Sequence, residues 1–219
     1  MKLSFSTRGW GDLSWAELIE TALDMRFDGI EVYNLQKFPA LRERGGSFHK
    51  YNTAATARQL REQKLSIPVF DTSCDISDAA DCMQDITDLM EIAEAMQVPY
   101  VCVVALQDNE EMIRERLEKL IPLAESKNVA ILIKTSGIYA NTARLRAMLE
   151  SFPCDQLAAL WDMHHPYRDF NESPDATIKN LGAYVRHVHL RDSDDKDTYN
   201  LIGEGNMPVA DMMRALSSI

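Results

Sequence analysis

The chain has 219 residues, 46% of them hydrophobic and 26% charged, a balance that excludes a disordered or membrane-embedded polypeptide. Twenty-three basic against 34 acidic residues leave a net charge of −11 with no Lys/Arg run. That argues against a nucleic-acid surface, because neutralised phosphates supply most non-specific affinity. No apolar run approaches the roughly 18 to 20 residues that span a bilayer. The start, MKLSFSTRGWGD, lacks the apolar stretch and cleavage site of a secretory signal. A cytoplasmic chain with no membrane partner is expected.

In chain order, short β-type runs alternate with amphipathic stretches. Strands are expected at 2–6, 29–33, 66–71, 100–105, 129–134, 157–162 and 185–190. After the first of these, Trp15, Leu18, Ile19, Ala22 and Leu23 recur at helical spacing, and Ser14 with Glu17 forms a capping box at the start. Helices are also expected over 51–64, along the Ile86–Met96 stripe, and along the Ile113–Ala124 stripe with a kink at Pro122. Others follow at 141–151, at 174–182 after a Ser173 cap with Pro174 in the first turn, and at 208–217. Strands that alternate with helices in this way make βαβ units and a parallel sheet buried on both faces. The four cysteines show no C-x-x-C pair, and Cys102 lies in an apolar strand, so all four are read as reduced thiols.

The choice between a barrel and a doubly wound sheet turns on where the polar residues fall. No strand is followed by a Gly-rich nucleotide loop. Polar residues gather instead at several strand ends: Glu31, Asp71 to Ser73, Lys134 to Ser136, Asp162 with His165, and His189 with Asp192. A (β/α) TIM-type barrel builds its site from many strand ends at one face. His187 and His189, two apart in a strand, share a face.

The strings FDGIEVY, LWDMHHPY, VRHVHLRDS and LIGEGNMPV, in that order, resemble the xylose-isomerase-like barrel superfamily of sugar (phosphate) isomerases and epimerases, which is related to endonuclease IV. The resemblance implies a single domain over 1–219 with seven βα units visible. It also implies a divalent ion (Mn, Co, Mg or Zn) held at the barrel mouth by Asp162 and His189. His165 would face the sugar. Read from the residues themselves, Glu31 near the second strand end is a substrate contact or a member of an ion pair, and Trp10 is the apolar wall of a sugar pocket or a core anchor. The reaction implied is proton transfer beside a carbonyl of a small sugar or sugar derivative.

Two departures from that pattern matter. Lys134 stands where the family carries an acid, so it is read as a catalytic lysine or as a cation paired with Asp162, and a site without the metal stays open. An eighth strand is missing from the sequence, so the domain is expected to be incomplete, as part of a longer polypeptide or with a partner copy along the unpaired strands. Two rival functions are carried: a carbohydrate-binding or regulatory barrel that has lost the ion, and a Schiff-base lyase using Lys134. The run DSDDKD is read as a solvated loop, and Glu204 as a residue of a loop over the site.

Overall fold

A computed structural model describes residues 1–11 and 13–219. Seven parallel strands follow one another in sheet order as they do in sequence: β1 (Ser4–Ser6), β2 (Gly29–Tyr33), β3 (Phe70–Asp75), β4 (Tyr100–Val104), β5 (Ala130–Lys134), β6 (Leu157–Asp162) and β7 (Val185–His189). A doubly wound sheet reverses its strand order at a switch point, and this one does not. Each helical connection between two strands of this sheet therefore carries the chain to the immediate neighbour, which is the singly wound α/β arrangement expected.

The helices are α1 (Trp15–Asp24), α2 (Pro39–Arg42), α3 (Thr53–Glu62), α4 (Met83–Met96), α5 (Glu110–Lys127), α6 (Thr142–Glu150), α7 (His164–Phe170), α8 (Pro174–Leu181) and α9 (Val209–Leu216). The contacts group the chain into two compact units. One comprises Met1–Cys74, Asp81–Val103 and Arg116–Ile131, and the other Asp75–Ala80, Val104–Glu115 and Leu132–Ile219.

In the first unit, α1 begins where the sequence places it. Ser14 Oγ accepts from the Glu17 backbone N–H at 3.3 Å, and Glu17 Oε2 accepts from the Ser14 N–H at 2.7 Å, which closes the capping box. Trp15, Leu18, Ile19 and Ala22 turn inward, the three large ones each contributing about 1.5–3 kcal/mol of hydrophobic stabilisation. Leu23, expected on the same stripe, lies outside it and is exposed.

β3 differs from the expectation. Ser66 makes only an isolated bridge with Gly29, and the strand starts at Phe70 and runs on to Asp75. Pro68 has no N–H to give a ladder. The polar run beyond it is held in extended form by specific bonds, Thr72 Oγ1 donating to the Cys102 carbonyl at 2.7 Å and accepting from Cys74 N–H at 3.1 Å. Gly29 is required at its place, since a Cβ there would sit 2.5 Å from the Ser66 carbonyl oxygen.

In the second unit, β6 is buried along its whole length and pairs with β7 in a register that sets Asp162 opposite His189. Ser173 caps α8 by accepting from Ala176 N–H, with Pro174 in the first turn, as the sequence predicts. Trp161, Met163, Met207, Met212 and Ala215 form a core that seats α9 below these strands' neighbours Val185 and Val188.

The short helix α2 escapes the sequence reading, as do two elements of the second unit. One is α7, which opens directly after β6. The other is a small antiparallel hairpin of β8 (Asp192–Ser193) and β9 (Tyr199–Asn200). The run read as a solvated loop is the turn of this hairpin.

Candidate functional site

The second unit brings three of the sequence-selected strand ends together. Lys134 closes β5, Asp162 closes β6 and His189 closes β7. The β5 and β6 ends are clasped by Thr135, whose hydroxyl donates to the Asp162 carbonyl at 3.1 Å and accepts from the Asp162 N–H at 2.9 Å. Lys134 is buried, as strand parity requires for a side chain pointing away from solvent.

Asp162 is fully buried. Its Oδ2 lies 3.1 Å from Arg191 Nη2 and 3.6 Å from His189 Nδ1, and its Oδ1 accepts from the His164 N–H at 3.2 Å. Burial alone pushes this carboxyl up. The His189 contact and the Arg191 guanidinium outweigh that and hold it well below the usual carboxylate range, so Asp162 is an anion at neutral pH. Arg191, a cation at this oxygen, stands two residues past His189 and was passed over as part of a polar tail.

His187 and His189 share a face, their rings edge-on at 5.5 Å between centroids. His165 is the second residue of α7, half-buried, with Nδ1 3.1 Å from Asp169 Oδ2. Asp169 also meets Lys196 Nζ at 3.3 Å. A carboxylate on Nδ1 orients the ring and leaves Nε2 for another partner. His164, its neighbour, is buried instead, packed against Tyr199 at 4.9 Å; burial and the nearby His165 keep its pKa low and the ring neutral. The Tyr199 ring also lies 5.8 Å from the Arg191 guanidinium, so one aromatic residue of the hairpin backs both groups. Arg191, Asp169 and Tyr199 were all missed. The only available signals were the R-D step after His189 and the four-residue spacing from His165 to Asp169.

Asp192 defines the floor of the loop that follows. Its Oδ2 accepts from Gly203 N–H at 2.8 Å and Gly205 N–H at 3.1 Å, and its Oδ1 from Ser193 N–H at 2.8 Å and Met207 N–H at 3.2 Å. Gly205 permits this approach, since a Cβ there would come within 2.3 Å of Asp192 Oδ1. Arg168 pins the same hairpin, bonding Ser193 Oγ at 3.0 Å and Asn206 Oδ1 at 2.6 Å. Glu204 is exposed in this loop.

The other two selected residues belong to the first unit. Glu31 is buried in β2, in register with Ser6 of β1. Trp10 is partly exposed, edge-on to Phe5 at 5.6 Å, and lines a small apolar groove with Thr7, Tyr33 and Phe38.

Residues 9–219 match the model of the xylose isomerase-like TIM barrel family. The chain belongs to that family. Among curated proteins, the fructoselysine 3-epimerase of Escherichia coli O157:H7 is 29% identical over 108 residues, covering 47% of this chain and 39% of that protein. The match thus spans well under half of that relative's length. Among solved structures, the IolI protein with a bound zinc atom superimposes with a TM-score of 0.82 at 16% identity, over 100% of this chain and 85% of that one. Endonuclease IV from Thermus thermophilus gives 0.69 at 20% identity, over 99% and 86%. At such identities the structural likeness concerns the fold alone.

A barrel of this family with a divalent ion needs carboxylate and imidazole donors close enough to share it. Two ligand atoms about 2.1 Å from one tetrahedral ion lie about 3.4 Å apart. Asp162 Oδ2 and His189 Nδ1, at 3.6 Å, fit that spacing, and their chemistry suits Mn, Co or Zn. Arg191 is the competing cation at the same oxygen.

No helix among the described residues is long and apolar enough to cross a membrane.

Proposed function

We propose that this xylose isomerase-like barrel is a sugar isomerase or epimerase that moves a proton next to the carbonyl of a small sugar or sugar derivative. The observation that carries the reading is the pairing of Asp162 with His189, an ionised carboxylate and an imidazole at adjacent strand ends with ligand spacing. The epimerase relative and the family match support the same class.

In this reading Asp162 and His189 hold a divalent ion, which when bound polarises a carbonyl or adjacent hydroxyl. His165, oriented by Asp169, contacts the sugar oxygens and exchanges a proton through Nε2. Lys134, buried at the end of β5 where the family resemblance implies an acid, supplies the second proton-handling group. Arg191 keeps Asp162 charged.

The test is proton exchange. A panel of ketohexoses, their phosphates and their amine conjugates is incubated with the protein and Mn or Co in deuterated water and followed by NMR. The expected result is deuterium uptake at the carbon beside the carbonyl, reduced to background in Asp162→Asn. No exchange with any member of the panel overturns the proposal.

A second reading is favoured by the Arg191 contact: a carbohydrate-binding barrel whose guanidinium stands permanently where the ion would be. Metal content separates the two. Stoichiometric Mn, Co or Zn in protein purified without chelator supports the enzyme, and metal-free protein that still binds a sugar supports the binder.

A further inference from the structure

Arg191 stands between two partners. Its Nη2 lies 3.1 Å from Asp162 Oδ2, and the guanidinium carbon lies 5.8 Å from the centre of the Tyr199 ring. Asp162 Oδ2 is also the atom that His189 Nδ1 approaches at 3.6 Å, so Arg191 shares an oxygen with the ligand pair of the proposed ion site. An ion and a guanidinium are like charges, and one carboxylate cannot satisfy both at the same oxygen. Asp162 Oδ1 is turned to the His164 backbone N–H, 3.2 Å away.

The acids of α7 and the hairpin offer Arg191 no second home. Asp169 is engaged by His165 at 3.1 Å and by Lys196 at 3.3 Å, and Asp192 by four backbone N–H groups. Asp195 accepts from the N–H groups of Asp197 and Thr198 at 2.9 and 2.7 Å, while Asp194 and Asp197 stand in water on the hairpin turn. The Arg191 side chain is only 22% exposed, so without Asp162 it would be a cation mostly out of water and lacking an anion, which is a costly state. The half-exposed Tyr199 ring can seat the guanidinium on its face but brings no charge to neutralise it.

On the reading of Asp162 and His189 as ion ligands, we propose that Arg191 is an exchangeable occupant of that site: a divalent ion displaces it from Asp162, and the freed guanidinium, backed by Tyr199, takes the acid group of a sugar phosphate or sugar acid. Asp162 and Arg191 cancel each other before the ion arrives. The ion adds two positive charges, which a phosphate monoester offsets with nearly two negative ones and a carboxylate with one. The planar guanidinium matches either group with two parallel hydrogen bonds. Ion and acidic sugar therefore bind cooperatively, each raising the other's affinity by the same factor.

The experiment uses the full chain, freed of metal with a chelator, and reads bound Mn from the loss of the free-ion EPR signal. Arg191→Met is expected to bind Mn about tenfold more tightly than wild type when no sugar is present. Two matched pairs then test the anion: fructose 6-phosphate against fructose, and glucuronate against glucose, each corrected for Mn held by the sugar in free solution. In wild type the acidic member of at least one pair tightens Mn binding about tenfold more than its neutral counterpart, and that pair names the acid group. In Arg191→Met the members of each pair act alike. A further measurement needs no variant: phenylglyoxal, which modifies accessible guanidinium groups, labels Arg191 faster when Mn is present, as located by mass spectrometry, and the acidic sugar restores protection. Equal Mn affinity in wild type and variant, or Arg191 labelling indifferent to Mn, overturns the proposal alone. Equal effects within both sugar pairs in wild type overturn the acidic-sugar assignment. Mn bound by neither protein overturns the reading of Asp162 and His189 as well.

Discussion

Asp162 and Asp192 are carboxylates shut away from water within one unit, at 0% and 2% exposure, yet they are satisfied in opposite ways. Asp192 is enclosed by four backbone N–H groups from the hairpin and the following loop. Asp162 faces movable side chains, the Arg191 guanidinium and the His189 imidazole, and takes a single backbone N–H. Backbone donors are fixed by the fold, so a carboxylate that satisfies them is part of the scaffold. Side-chain cations can rearrange, so a carboxylate that faces them can exchange one cation for another. Burial of an acid does not mark a site; the mobility of what neutralises it does.

The sharpest way to break this comparison is to delete Asp192. Asp192→Ala leaves four donors without their common acceptor, and unfolding in urea should show a loss of about 3–5 kcal/mol, since a single bond to a charged group is worth about 1.5–3 kcal/mol and part of the loop regains water. Metal uptake by Asp162→Asn should fall to background, with a smaller loss of stability. If Asp192→Ala abolished metal uptake at unchanged stability, the assignment of the two carboxylates would have to be exchanged.

Gly205→Ala tests the same scaffold from the loop side. The added methyl meets Asp192 Oδ1 and the Ser193 backbone, and overpacking of this kind costs about 1–3 kcal/mol. Equal melting temperatures for Gly205→Ala and wild type would show that the loop yields freely.

Acid titration separates the carboxylates more gently. Burial would raise the Asp192 carboxyl, but the four N–H donors outweigh it and depress the folded-state pKa. Asp192 therefore contributes stability that is complete above its unfolded value of about 3.9 and is lost as pH falls through the lower folded value. Below about pH 4 the stability curve of Asp192→Ala should flatten relative to wild type. Parallel curves from pH 5 to pH 2 would remove the linkage.

The smallest effect serves as the baseline. Asp88 is half-exposed and meets Arg42 at 2.8 Å, and Asp88→Ala should change stability by no more than about 0.2–1 kcal/mol. A larger loss would mean that burial is not what sets Asp88 apart from Asp162 and Asp192.

How much of this was legible in the sequence varies by element. β2 and β6 have the bounds their apolar runs predict, because a strand buried on both faces announces itself by continuous hydrophobicity. β3 was misplaced, since Pro68 interrupts the apolar run and the true strand is a polar segment held by Thr72 and the neighbouring β4. The hairpin was read as solvent-exposed because its turn is acidic, and nothing local shows that Asp192 turns inward to gather the loop beyond it. Asp162 and His189 were chosen correctly as neighbours, but the partner that completes them, Arg191, looked like one more polar residue after a strand.

Alternation of apolar runs with amphipathic stretches fixed the parallel sheet, and strand-end position fixed which polar residues meet in the second unit, because both follow from backbone periodicity. Which cation neutralises Asp162 and which acid holds the loop were decided only by tertiary packing. Those outcomes depend on side-chain directions and strand register between segments far apart in the chain, where periodicity carries no information.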